Sequence, residues 1–268
     1  RSDDPSLGEL LGDAFQGSIE KFKILVTHFQ ISTSFRYSLD MDFSWPEIKL
    51  INSWFSWVNL DAIDMAKIEC IQPLCFYDGL FSTVLSATLI LTAVPLTCLA
   101  ILSTQSLCWR LGQRQKTASA QRIRHAFINR SWNIFLMLCF FFFPPVSKRV
   151  FNTLHCVEVM PGEWYMWADL SLKCTGGTYY GWVGFALVSM LGFTIGIPAF
   201  FATILYSNHR RLVLQTPQCQ ARYGFLYAKY QDRVWWWEFV EMFRKLLFTS
   251  GIMFLATGTA SQVVFAML

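Results

Sequence analysis

The sequence predicts an all-α protein, a polytopic bundle of four or five transmembrane helices. Three observations predict this class. Apolar residues make up 54% of the 268 residues and charged residues only 15%, whereas a typical globular domain has about 25% charged residues. Long uncharged runs recur along the chain. Basic loops alternate with loops that are not basic. The net charge of +4 is too small to indicate nucleic-acid binding.

Five apolar runs are candidate spans, because crossing a bilayer takes about 20 apolar residues. They lie at about residues 22–36, 79–102, 131–147, 179–206 and 246–268. The first run is short and contains Lys23 and His28, so an amphipathic helix on the membrane surface is the alternative for it. Residues 1–21 form a polar N-terminal segment, and residues 22–268 form the transmembrane domain. The chain stops within an apolar run, so we expect it to be truncated at its C-terminus.

The third run is expected to end abruptly at the outer face of the membrane. There, Pro144 and Pro145 follow four consecutive phenylalanines, and proline interrupts a helix because it lacks the backbone N–H.

Loop charges predict which side of the membrane each loop faces. Loops 103–130 and 207–233 are rich in Lys and Arg, whereas loop 37–78 is acidic and loop 148–178 is balanced. Because basic loops stay on the cytoplasmic side, we expect the two basic loops to face the cytoplasm, or the stroma if the membrane is a thylakoid. The sequence does not distinguish a plasma membrane from a thylakoid.

The cysteines follow the same division. Cys70 and Cys75 fall in one outer loop, and Cys156 and Cys174 fall in the other. Disulfides persist in oxidising compartments, so we expect these four cysteines to pair and the remaining four to stay reduced. Of the three connectivities, Cys70–Cys75 with Cys156–Cys174 is the first choice, and four free thiols are the alternative.

No catalytic or metal-binding motif is present, so we expect neither catalysis nor a metal site. His28 stands out because it is a polar ring inside an apolar stretch, and such residues are costly in lipid. A histidine satisfied by packing is one interpretation of His28. A ligand for a pigment or an ion is the other, and Gln30 is a second candidate ligand.

Gly192 and Gly196 are four residues apart and are followed by Pro198. This spacing gives a helix one flat face, against which another helix can pack closely. Pro198 favours a kink. We therefore expect these three residues to serve helix packing, with a moving hinge as the alternative.

A block of aromatic and charged residues precedes the last apolar run. Trp235, Trp236 and Trp237 suit headgroup depth, and they point in directions about 100° apart on a helix, so lipid, headgroups and a neighbouring helix could each receive one. Glu238, Glu241, Arg244 and Lys245 follow. We expect the two acids to pair with Arg244, with Lys245 or with basic residues of loop 103–130.

Several segments together resemble a known family. They are KILVTHFQISTSF at 23–35, SWP at 44–46, NLD at 59–61, Cys70, FPPVSKRVFNTLHC at 143–156, WADLSLKC at 167–174, GIP at 196–198, GFLYAKY at 224–230, WWWEFVEMFRKLLF at 235–248 and Gln262. Their order resembles the membrane region of transient-receptor-potential-like proteins of algae, oomycetes and other protists. The resemblance implies a large protein, often with cysteine-rich repeats outside the membrane, and a channel-like fold whose pore is built by its last spans.

Two functions follow as alternatives. The first is a non-catalytic structural or accessory subunit of a larger membrane assembly, homo- or hetero-oligomeric, such as a photosynthetic complex. The second is the front part of a channel whose pore spans lie beyond residue 268, for which no pore residue can be named. Lipids are expected around the protein, and chlorophyll or a carotenoid if the assembly is photosynthetic. In that case His28, Gln30 or a Glu–Arg pair could hold the chlorophyll magnesium.

Overall fold

Long helices make up most of the structure, a computed structural model that describes residues 17–18, 21–31, 76–110, 118–211 and 216–251. The helices are α1 (21–31), α2 (Phe76–Arg110), α3 (Ala118–Leu154), α4 (Gly177–Ser189), α5 (Gly196–Arg210), α6 (Pro217–Tyr227) and α7 (Trp237–Thr249). A π-helical segment, Met190–Ile195, joins α4 to α5, and a short 3₁₀ turn, Asp232–Val234, precedes α7.

Three helices are long and apolar enough to span a membrane. They are Phe76–Ser106, Ile123–Leu154 and Gly177–Arg210, with 31, 32 and 34 residues. All three exceed the length of about 20 residues that a bilayer requires, and they contain the predicted spans 79–102, 131–147 and 179–206. The predicted first and last spans lie partly outside the described residues, because α1 is described to residue 31 and the description ends at residue 251. The predicted total of four or five spans therefore stays a prediction.

Helix α3 does not end at its two prolines, and this prediction was wrong. Pro144 and Pro145 lie inside the helix, which continues to Leu154. Proline removes the N–H that would bond the carbonyl four residues earlier, so Pro145 leaves the Phe141 carbonyl without its helical partner. The buried Gln30 of α1 donates its side-chain amide N–H to that oxygen at 3.1 Å. A neighbouring helix thus supplies the hydrogen bond that proline removed, as membrane helices require.

The chain is mostly helical, as the sequence predicted, with an unpredicted exception in the loop after α3. Three short antiparallel strands form a sheet there, in the order β1 (Cys156–Met160), β2 (Glu163–Met166) and β3 (Asp169–Lys173). Gly162 allows the tight turn between β1 and β2, because its φ of 81° is unfavourable for other residues. Hydrogen bonds from Tyr165 and Lys173 lower the pKa of the Glu163 carboxyl on this exposed sheet.

The predicted disulfide Cys156–Cys174 is confirmed, and it closes the sheet onto the end of α3. Burial lowers the pKa of the adjacent His155. Cys70 and Cys75 lie outside the described residues, so their pairing stays a prediction. Cys98, Cys139 and Cys219 carry free thiols.

Helix α3 lies at the centre of the packing. One cluster of buried side chains joins α3 to α5, α6 and α7, and a second joins α3 to α2 and α4. Between α3 and the π-helical segment, the hydroxyls of Ser147 and Thr194 are 2.9 Å apart and buried. Helix α2 packs mainly through its first half: Leu80, Val84 and Ala87 are buried, and Leu91 is partly buried against both clusters, but no residue from 88 to 106 is fully buried.

Candidate functional site: a buried lysine–glutamate cluster

The carboxylate of Glu238, in the first turn of α7, is completely buried and is surrounded by donors. The Lys23 ammonium of α1 lies 2.5 Å from one carboxylate oxygen. The Lys229 ammonium lies 3.5 Å from the other oxygen, which also accepts the Tyr230 hydroxyl at 3.2 Å. One acid therefore connects α7, α1 and the segment between α6 and α7.

Two lysine side chains of the site share one aromatic ring. The Lys23 Nζ lies 4.3 Å from the centroid of the Phe140 ring and 4.5 Å from that of Phe225, and the Lys245 Nζ lies 3.3 Å from the Phe140 centroid. Ammonium groups are attracted to the face of an aromatic ring. Phe140 thus contacts both cations, and we call Lys23, Lys229, Glu238 and Lys245 the lysine–glutamate cluster.

Lys245 differs from the other members because it has no hydrogen-bonding acceptor among the described residues. Its side chain is only 1% exposed. It is seven residues, or two helical turns, after Glu238, so both lie on the same side of α7. A buried ammonium without an acceptor has lost its hydration with only the aromatic face to replace it, which is energetically unfavourable.

The cluster lies at about half the height of α3. Phe140 is 17 residues after Ile123 and 14 before Leu154, the two ends of the span, and these separations correspond to about 25 Å and 21 Å along a helix with a rise of about 1.5 Å per residue. Ionisable side chains at membrane depth are rare. They face a bundle interior or a water-filled cavity, and they mark functional sites. The buried Lys23, Lys245 and Glu238 likewise face the interior of the helix bundle.

A cavity of about 310 Å³ opens beside the cluster, between α1 and α7. Its polar lining includes Lys23, His28, Lys229, Glu241, Arg244 and Lys245. Glu241 and Arg244 form an ion pair of 2.6 Å at this wall, with the Arg244 side chain 46% exposed. Cations thus predominate around the opening.

The prediction of ion-pair partners for Glu238 and Glu241 was partly right. Glu241 pairs with Arg244, as expected. Glu238 pairs with Lys23 and Lys229 rather than with Arg244, Lys245 or loop 103–130, and this prediction was wrong. The physical reason is that Glu238 points into the interior, where α1 and the end of α6 approach it, and not along the surface of its own helix.

The three tryptophans separate into two environments. Trp235 lies before α7 and stacks on His209 at the end of α5, with ring centroids 5.0 Å apart. Trp236 and Trp237 are about 40% exposed, and their rings contact each other. One indole therefore joins two helices and two face outwards, and the membrane depth of these rings stays a prediction.

His28 and Gln30 have different surroundings. His28 is exposed at the cavity wall, and its ring meets Phe29 edge-on. Gln30 is 1% exposed and donates its amide to the Phe141 carbonyl. Their role as pigment or ion ligands stays a prediction. Among the described residues, no group of three or more His, Cys, Asp or Glu side chains could hold a metal ion.

The glycine motif has a different local role from the expected one at Gly196. A Cβ on Gly196 would lie 2.9 Å from the Leu191 carbonyl oxygen, five residues earlier in the same chain, so glycine is needed for the π-helical turn. A Cβ on Gly192 would meet nothing within 4 Å. No described helix packs on Gly192, so its predicted role in helix packing stays a prediction. Pro198 lies in the first turn of α5.

Sequence reasoning missed Lys229, Tyr230, Phe140 and Phe225 as site residues. The available signal was Lys23, a charge inside an apolar run that requires a buried counter-charge if the run is buried. The sequence identifies the cation, but the identity of its partner depends on the packing of α1 against α7.

No protein-family model matches the chain, and no solved structure matches it. The cysteine repeat modular protein A of Toxoplasma gondii is 27% identical over 122 residues, which cover 42% of this chain and 4% of that protein. The chain therefore spans a small fraction of the length of this curated relative.

Proposed function

We propose that this chain is the non-catalytic membrane region of a large modular protein, and that it serves as a structural subunit of a larger membrane assembly. The name of the relative from Toxoplasma gondii, a cysteine repeat modular protein, supports the modular part. The resemblance to transient-receptor-potential-like proteins also implies a large protein with cysteine-rich repeats, in agreement with the name of this relative. The extent of the whole protein remains part of the proposal.

The second half of α2 carries the proposal of an assembly, because most of it is uncovered. Residues 88–106 continue the helix without one fully buried side chain, and Leu91, near their start, is partly buried against both clusters. Four small residues in this half follow each other at intervals of four, three and four, which places them along one side of the helix. They are Ala93, Thr97, Ala100 and Thr104, and all four are exposed.

Small residues at such spacing favour close helix–helix contact in a membrane, where no hydrophobic effect drives apolar helices together. A large apolar side chain occupies a different direction on the same half: Leu99 is 62% exposed. Lipid suits this leucine, whereas a neighbouring helix suits the small-residue side. We therefore infer that the second half of α2 contacts another subunit through its small residues.

Photo-crosslinking in native membranes tests this contact. A benzophenone amino acid at Thr97 is expected to give an adduct with another polypeptide. The same group at Leu99 is the matched control, because Leu99 is 62% exposed but about 160° around the helix from Thr97, and it is expected to react with lipid. Lipid adducts alone at both positions would contradict the proposed subunit contact.

Ion conduction is the second candidate function. The π-helical segment within the span Gly177–Arg210 favours it, because such segments in helices frequently occur at functional sites, and so does the ionisable cluster at half height of α3. Reconstitution of the purified protein into planar bilayers tests it. Current through a homomeric species would support conduction and would overturn the accessory function, whereas silent bilayers with verified insertion would argue against conduction.

A further inference from the structure

The cavity between α1 and α7 has more cations than carboxylates at its walls. Two acids are in contact with the basic groups: Glu238, bonded to Lys23 and Lys229, and Glu241, bonded to Arg244. The basic lining residues are Lys23, Lys229, Arg244 and Lys245. Among the described residues, the site therefore has two more positive than negative formal charges.

The surplus is concentrated at Lys245. The other three basic side chains each bond a carboxylate, but the Lys245 Nζ has no hydrogen-bonding acceptor among the described residues. The residue Lys245 is 99% buried and forms part of the cavity lining. Its contact with Phe140 satisfies the charge in one direction only. An ammonium in this position favours an anionic oxygen entering the cavity, since charge-assisted hydrogen bonds are the stronger class.

The remaining lining is apolar, which indicates an amphiphilic ligand. Ile24, Ile31 and Phe140 line the same cavity, and Ile24 is 68% exposed next to the exposed Leu25 on α1. A volume of about 310 Å³ is at the small end of ligand pockets, which hold about 300–1,000 Å³. It therefore suits a headgroup and the start of an acyl chain rather than a whole lipid.

The depth of the site is compatible with a lipid headgroup. Ionisable side chains within a bilayer draw water and headgroups towards them through local thinning and water defects. Arg244 and Lys229 are partly exposed at the opening, where they add positive charge along the way to Lys245. Free phosphate would gain the same electrostatic attraction but would leave the apolar lining unused.

We propose that this cavity binds the phosphate headgroup of an anionic lipid, with the Lys245 ammonium as the buried donor and Arg244 and Lys229 as cations at the opening. The acyl chain extends along the apolar side of α1. This proposal requires that the chain lies in a membrane, but it does not depend on the assembly proposed for α2.

Lipid binding is measured on the full chain in nanodiscs of phosphatidylcholine with and without dioleoylphosphatidic acid, by thermal unfolding and by native mass spectrometry of retained lipid. Phosphatidic acid is expected to raise the unfolding temperature and to stay bound. Lys245→Met is expected to weaken apparent affinity about tenfold or more, since a hydrogen bond to a charged group is lost. Met is similar in length and flexible, so it fills the site without the unpaired charge.

The matched control is Arg210→Met, which removes an exposed basic residue at the end of α5 that does not line the cavity. It is expected to change affinity less than twofold. Equal weakening by both variants would mean general attraction between basic residues and anionic lipid, and would overturn the proposal. Equal binding of phosphatidylcholine and phosphatidic acid by the wild type would also overturn it.

Inorganic phosphate, added without anionic lipid, distinguishes the source of the phosphate. Stabilisation by millimolar phosphate equal to that by phosphatidic acid would overturn the lipid assignment. If Lys245→Met does not fold, Arg244→Gln at the opening gives the answer: at least threefold weaker binding supports the site, and unchanged binding contradicts it.

Discussion

Replacing Glu238 with Gln perturbs the cluster with minimal change of shape. Gln keeps the size and one acceptor oxygen but replaces the other oxygen with an NH2 donor and removes the negative charge, so Lys23 and Lys229 lose their common counter-charge. Both Glu238 and Lys23 are almost completely buried, at 0% and 6% exposed. Removing one partner of a buried pair costs about 3–5 kcal/mol, because the other charge stays buried and uncompensated. We expect a loss of this size in the free energy of unfolding.

The assay is an unfolding titration in mixed detergent micelles, with Glu241→Gln as the matched control. Glu241 is three residues away on the same helix, but its Arg244 partner is 46% exposed, so its loss should cost about 0.2–1 kcal/mol. Adding Lys23→Met to Glu238→Gln is expected to recover part of the loss, because the pair is coupled. Equal, small effects of the two Glu→Gln variants would refute the reasoning that Glu238 holds α1 to α7.

Three further changes have expected outcomes in the same unfolding assay. Gln30→Leu removes the hydrogen-bond donor to the Phe141 carbonyl and should lower the free energy of unfolding by about 1–3 kcal/mol. His28 is exposed, so His28→Leu should be nearly neutral. Equal losses for the two variants would contradict this. Gly196→Ala forces a Cβ to within 2.9 Å of a backbone oxygen and should cost about 1–3 kcal/mol, whereas Gly192→Ala, with open space around it, should be neutral or slightly stabilising. Cys174→Ser should cost about 2–4 kcal/mol, and mass mapping without reductant should find the disulfide in the wild type; free thiols there would contradict it.

The sequence was sufficient for features that depend on local composition. Long uncharged runs predicted the three helices that could span a membrane, and the position of two cysteines in one outer loop predicted Cys156–Cys174. The continuation of α3 past Pro144 and Pro145 was not predictable locally. It depends on a side chain more than 100 positions away, since Gln30 satisfies the freed carbonyl.

The ion-pair partners of Glu238 in the lysine–glutamate cluster were also not predictable from the local sequence. The charge pattern around Glu238 predicted ion pairs within one helix, and Glu241 with Arg244 follows that rule. Glu238 instead bonds Lys23, 215 residues earlier, because tertiary packing brings α1 beside α7. The sheet after α3 was also missed, since its strands are only four or five residues long and partly exposed, which leaves little hydrophobic alternation to detect.

Native mass spectrometry of the protein released from its own membranes tests whether this chain is a subunit of a larger assembly. We expect a complex in which this polypeptide is bound to at least one further protein subunit, and we expect Ala100→Trp on the small-residue side of α2 to reduce that complex while Leu99→Trp does not. A single polypeptide carrying lipids alone, unchanged by either substitution, would contradict the proposed assembly.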